Sequence, residues 1–282
     1  MAHVTLVPTT PRTVVIAQIL RAIALFTLLG FLLLPFVAFI INAFAYRWFY
    51  PQFIPKEFSL QAWESLANPR NGVAEAMLNS FIIATSVTFI SVLIGLPAAR
   101  VMGLYKFRGK RIVEFLILAP TIVPTLAVSL GLNINFIRWG LSGTILGVAL
   151  VHLVPVMPYV VLTLSGVFAN YNPEFEEQAR TLGAGPIRTF RYVTLPSIFP
   201  GLIVAALFAF LVSWGQYILT FLIGGGRVIT MPILLFSTVA GGEAPNIAAQ
   251  SLVFIAPAIL ILVFTSRFLS GQSGAVGGFS QI

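Results

Sequence analysis

Long charge-free apolar runs alternate with short polar, mostly basic connectors along the whole chain. Ala22–Phe44 holds 23 residues without a charge. As a helix it rises roughly 34 Å at about 1.5 Å per residue, enough to cross a bilayer's hydrocarbon core. Comparable runs occupy Ala76–Ala99, Phe115–Ile137, 144–167, 201–222 and 246–266, the last within the charge-free stretch Ala244–Ser266. Six such runs predict an all-α polytopic membrane protein with six transmembrane helices. Pro35 falls inside the first, and Pro120 and Pro124 interrupt the third. Such breaks are tolerated where neighbouring helices re-satisfy the backbone. Val228–Gly242 is apolar but only 15 residues long and contains Pro232, which predicts an interfacial or re-entrant segment.

Composition reinforces this pattern. Of 282 residues, 58% are hydrophobic and 9% charged, against about 25% charged in a soluble domain. With no cysteine, disulfides and thiolate metal sites are excluded. The first run exceeds the roughly 7–15 residues of a signal-peptide core, so it reads as a retained anchor.

The net charge of +8 matters through its distribution. Arg12, Arg21, Arg100, Lys106, Arg108, Lys110, Arg111, Arg180, Arg188, Arg191 and Arg267 fall on one side of a six-span topology. Arg47, Lys56, Arg70, Arg138 and Arg227 fall on the other. The positive-inside rule makes the first side cytoplasmic. The expected layout is then a cytoplasmic segment 1–21, an anchor helix 22–44, an extracytoplasmic connector 45–75 with interfacial Trp48, Tyr50 and Trp63, a membrane core 76–268, and a flexible cytoplasmic tail 269–282. Both termini are expected in the cytoplasm. The dispersed basic residues fit no nucleic-acid module, so the bilayer is the expected surface partner and nucleic acid is not.

Chemistry concentrates in the cytoplasmic stretch 170–198. Asn172 suits an N-cap and Pro173 the first helical position. Glu174, Glu176 and Glu177 lie near the positive end of the helix dipole and Arg180 near the negative end, with Gly183 as terminator. Pro186 opens a second short helix through Thr194, and Pro196 is expected to close it. On charge alone this is either a solvated loop or a docking projection.

Glu177-Gln178-Ala179, Gly183 and Val193-Thr194-Leu195-Pro196 resemble the EAA signature of permease subunits of binding-protein-dependent ABC importers. That signature is Glu-Ala-Ala, three residues, Gly, nine residues, Ile-x-Leu-Pro; here Gln178 replaces the first Ala and Val193 the Ile. The resemblance covers roughly Ala76–Phe268, including Asn79-Ser80 and Ser213-Trp214-Gly215, and is greatest to the spermidine/putrescine permease group. It implies a type I ABC importer permease fold in a bacterial cytoplasmic (inner) membrane, with a cytoplasmic coupling helix seated on an ABC ATPase dimer. It further implies a second permease subunit, an extracytoplasmic solute-binding protein, and ATP and Mg held by the ATPase, with no cofactor in this chain. By carry-over, Glu177 and Arg180 would contact the ATPase, Gln178, Ala179 and Leu182 pack in its groove, Gly183 shape the turn, and Leu195 and Pro196 close the motif. A polyamine or similar small polar solute is the implied cargo.

The residues bear independently on the energy source. No Gly-x4-Gly-Lys-Ser/Thr loop occurs, and all eight acids are Glu lying outside the charge-free runs. Ion-coupled carriers usually place carboxylates along their pathway, so a secondary transporter is the alternative reading. An intramembrane enzyme would need a nucleophile–base pair or metal cluster, and His3 and His152 are the only histidines; His152 reads as a helix-packing residue. Candidate pathway residues are Ser213, Trp214, Gln216 and Tyr217 with Met157 and Tyr159, and additionally Asn133 and Asn135. Gly201, Ala205, Ala209 and Ser213 recur every four residues, a stripe suited to close helix approach.

Overall fold

The computed structural model describes residues 11–46, 48, 52 and 54–270, without the side chains of 11–14, 17 and 267–270. Helix α1 (Pro11–Phe44) leads into a two-residue hairpin, β1 (Ala45–Tyr46) paired antiparallel with β2 (Glu57–Phe58). Then follow α2 (Gln61–Ala67), a 3-10 turn at Pro69–Asn71, and the long α3 (Val73–Leu104). Two shorter helices, α4 (Lys110–Ile122) and α5 (Thr125–Arg138), precede α6 (Ile145–Ala169). The loop after it carries α7 (Glu174–Thr181) and α8 (Pro186–Thr189), and a π turn at Phe190–Thr194 runs into α9 (Leu195–Trp214). The chain then forms α10 (Ile218–Gly224), α11 (Met231–Gly241) and α12 (Ala244–Ser270).

Five helical stretches are long and apolar enough to cross a membrane, and α4 with α5 makes a sixth if counted as one bent span. These two meet at 97°, which corrects the expectation of a single third span at 115–137. The cause is local: Val123 is extended and Pro124 has no N–H to continue the ladder. The expected span 201–222 is also redrawn. Its helix begins at Leu195 and ends at Trp214, and α10 starts afresh at Ile218. Pro196 does not close a helix; it sits in the first turn of α9, where a missing N–H costs little. The extra residue of the π turn lies immediately before it. There Leu195 N–H reaches back five residues to the Phe190 carbonyl, and the widened turn keeps the proline ring clear of the Tyr192 carbonyl.

At the ends of the chain, α1 begins at Pro11, inside the segment expected to precede the anchor, and α12 continues to Ser270, past the expected start of the tail. Residues 1–10, the connector positions Arg47, Tyr50 and Pro51, and tail residues 271–282 lie outside the described residues. The segment expected to be re-entrant forms α11, a short apolar helix with an exposed Phe236.

The core is the three-helix contact of α3, α6 and α9. Ile83 and Val87 from α3, Val156, Val160, Leu164 and Phe168 from α6, and Ile198, Ala205 and Ala209 from α9 are fully buried together. The small-residue stripe of α9 makes this contact. Gly201 lies so close to Val167 of α6 that a Cβ would clash, and Ser213 at the other end meets His152. By contrast, α1 packs mainly along α12 and α2, through a small cluster of Ala43, Ala62, Ala248 and Ala249. Its apolar side chains from Val15 to Ile40 are otherwise exposed, as suits a lipid-facing helix.

Candidate functional site: the loop joining α6 to α9

The loop between α6 and α9 is a projection built on a buried carboxylate. Asn172 Oδ1 accepts the Glu174 N–H at 3.0 Å, capping α7 one residue further out than an ordinary N-cap. At the far end Gly183 takes φ +84°, a left-handed turn that only glycine adopts without strain. The Gly183 and Ala184 N–H groups return to the Arg180 and Ala179 carbonyls. Gly185 and Pro186 then start α8.

Glu176 points inward and is 4% exposed. Its Oε2 accepts a 2.6 Å hydrogen bond from Arg100 Nη2 at the end of α3, and its Oε1 accepts one of 2.7 Å from the Thr194 hydroxyl. Arg180 adds a longer contact of 3.8 Å from within α7. Burial alone would raise the carboxyl's pKa. The hydrogen bonds from Arg100 and Thr194 and the Arg100 charge outweigh it, holding the group below its ordinary value. The neighbouring Tyr171 phenol is shifted upward, first by burial.

Outside this anchor the loop shows apolar residues to solvent. Leu182 is 88% exposed, Ile187 81% and Tyr192 70%. Of the residues expected to couple to an ATPase, Glu177, Gln178, Arg180, Leu182, Gly183 and Pro196 are exposed, while Ala179 and Leu195 are half-buried. Missed by the sequence reading were Glu176, Arg100 and Thr194. Arg100 had been counted only for topology, and adjacent glutamates can be separated only by the roughly 100° between successive helix positions.

The pathway candidates lie elsewhere; Ser213, Trp214 and Gln216 line one small crevice with His152, which Met157, Tyr159 and Tyr217 do not join. Ser213 is buried against His152 Nδ1 at 2.9 Å, while His152 Nε2 meets Thr220 Oγ1 at 2.8 Å. Both ring nitrogens thus join α6 to α9 and α10, a packing role. Trp214 is buried in an aromatic stack with Phe210 and Phe254 and donates its indole N–H to the Phe254 carbonyl. Gln216 and Tyr217 occupy the break between α9 and α10, with Tyr217 stacked on Phe236 at 4.1 Å. Met157 packs half-buried against the core, and Tyr159 stacks on Phe208 at 6.3 Å. In α5, Asn135 bonds back weakly to Gly131, and the Asn133 side-chain oxygen is buried without a partner.

Residues 91–270 match the family described as "Binding-protein-dependent transport system inner membrane component". The chain is 32% identical over 212 residues to the trehalose transport system permease protein SugB of Mycobacterium tuberculosis, covering 73% of this chain and 77% of that protein. It is 29% identical over 201 residues to the putrescine transport system permease protein PotI of Escherichia coli, covering 69% and 71%. Its fold superposes on a chain of a bacterial ABC transporter involved in the import of the acidic polysaccharide alginate, with a TM-score of 0.74 over 93% of this chain and 99% of that one, at 16% identity. A family match spanning 180 residues, together with a relative 32% identical and a helical fold shared with an importer chain, leaves one assignment: the chain belongs to the binding-protein-dependent transport system inner membrane components, multi-pass permease subunits of bacterial ABC importers that transport rather than catalyse.

Proposed function

We propose that the projection from Glu174 to Pro196 is the element through which this permease receives work from a cytoplasmic ATPase. The observation that carries this is the exposure of Leu182 and Ile187, at 88% and 81%, on a polar loop beyond the ends of the membrane-crossing helices. Exposed leucine and isoleucine flanking a rigid glycine turn have no folding role and suit a groove on a partner. Glu177, Gln178 and Arg180, also exposed, supply charged and polar contacts at the rim, and Ala179 packs beneath. Leu195 and Pro196 set the loop's return into α9. The ATPase holds ATP and Mg, and this chain needs no cofactor. The loop, both termini and the 100–111 connector face the cytoplasm, supported by the excess of Arg and Lys on that side.

The cargo proposed is a small polar solute delivered by an extracytoplasmic binding protein through a pathway shared with a second permease. A polyamine is the specific candidate, supported by likeness to the putrescine permease and by the aromatic faces of Tyr217 and Phe236. Identifying the ligand that copurifies with the cognate binding protein tests it, and a sugar or anion there removes the polyamine.

For the docking face, Leu182→Glu with Ile187→Glu should leave the permease in the membrane and reduce ATPase copurification at least tenfold. Gly183→Asp and Glu177→Lys should retain partner binding yet lower solute uptake per ATP hydrolysed by a similar factor. Wild-type uptake in all these variants would remove the assignment.

A further inference from the structure

The geometry points to Glu176, held by Arg100 and Thr194, as the positioning residue that carries displacement of the projection into the membrane core. This rests on the docking role proposed for Leu182 and Ile187, but it concerns different residues, two buried and one half-buried. Three segments distant in sequence converge on one carboxylate. Arg100 lies in the last turns of α3, Glu176 in the first turn of α7, and Thr194 at the end of the π turn that opens α9. Each carboxylate oxygen is committed to a different segment, Oε2 to Arg100 at 2.6 Å and Oε1 to Thr194 at 2.7 Å. Pulling α7 away from either helix therefore breaks a charge-assisted or a buried hydrogen bond.

The helices so clamped, α3 and α9, pack on each other and are two of the three that form the buried core, with α6 packed against both. Movement imposed on the tip at Leu182 and Ile187 is thus delivered to a rigid three-helix body. The α4–α5 pair, bent by 97° at its middle and packed on α6 and α10, receives no comparable clamp from α7 among the described residues. The π turn contributes as well. Its extra residue sets the direction of Thr194, which is fully buried and aimed at Glu176.

The experiment uses the importer reconstituted in proteoliposomes with its ATPase, second permease and binding protein. It reads ATPase copurification, ATP hydrolysis and solute uptake separately. Arg100→Ala should assemble at wild-type stoichiometry and hydrolyse ATP, while uptake per ATP falls about tenfold. The double variant Arg100→Ala/Glu176→Gln should recover thermal stability, because it no longer leaves an unpaired buried charge, while uptake per ATP stays low because the charged clamp is still missing; a merely destabilised fold would recover both. Thr194→Val should give a smaller loss of the same kind. Normal uptake per ATP in Arg100→Ala, or its recovery together with stability in the double variant, overturns the proposal. So does loss of ATPase copurification in Arg100→Ala, which would make the cluster part of the docking surface. If Leu182→Glu/Ile187→Glu retains full ATPase binding, the docking reading itself has failed, whatever the Arg100 variants do.

Discussion

Glu176 and Glu177 are neighbours of the same chemistry with opposite fates. One is buried between helices, and the other faces solvent. Removing Arg100 strands the buried charge, a loss of about 3–5 kcal/mol for fully enclosed pairs. With the Arg100 side chain 29% exposed, about 2 kcal/mol is the expected destabilisation of Arg100→Ala, measurable by thermal unfolding in detergent. Protonation should act in the same direction. Because the folded-state pKa of Glu176 is depressed, its stabilisation is complete above the ordinary glutamate value of 4.5 and is lost as pH falls through the lower folded value. Amide exchange across residues 174–181, corrected for its intrinsic pH dependence, should therefore stay flat from neutrality to about pH 5 and rise in stronger acid. Glu176→Gln should abolish that rise; a wild-type rise near neutrality would contradict the assignment. The spacing of the chain was enough to mark the loop, its turn glycine and its capping residues. It was not enough to say which glutamate turned inward, because that depends on where α3 ends in space.

Among the elements, α6 and α9 show how small residues set a distance. The four-residue stripe was legible in the chain, but its partner was not. The partner is α6, with Gly201 against Val167 at one end and Ser213 against His152 at the other. Gly201→Val should cost about 1–3 kcal/mol through overpacking. Adding Val167→Ala should return much of it, a compensation that unfolding of the double variant would reveal and that a purely local helix effect would lack. Four of the six apolar runs of more than about 20 residues became single continuous helices, α1, α3, α6 and α12, a length that hydrocarbon thickness imposes. Breaks were less legible. Pro35, Pro97 and Pro200 are accommodated within continuous helices, whereas Val123-Pro124 turns the chain through 97°. The residues flanking each proline, not the proline alone, decide between the two.

For the whole molecule, the eight acids lie outside the charge-free runs, which supports the proposal that a partner ATPase drives transport. Purified alone in liposomes, the permease should show no uptake under a sodium or proton gradient, and uptake should require ATP, the ATPase and the binding protein together. Uptake driven by an ion gradient alone would restore the secondary-transporter reading. The corner between α4 and α5 carries a further obligation. A helix that begins anew at Thr125 opens with N–H groups it cannot pair internally, and in hydrocarbon each unpaired group costs several kcal/mol. That corner must be wet or roofed by protein; lipid cannot seal it. Since the chain has no cysteine of its own, one placed at Thr125 reports without background. It should react with a water-soluble maleimide while one at Leu29 on α1 stays inert, which would make the elbow a point where the aqueous phase enters the body of the permease.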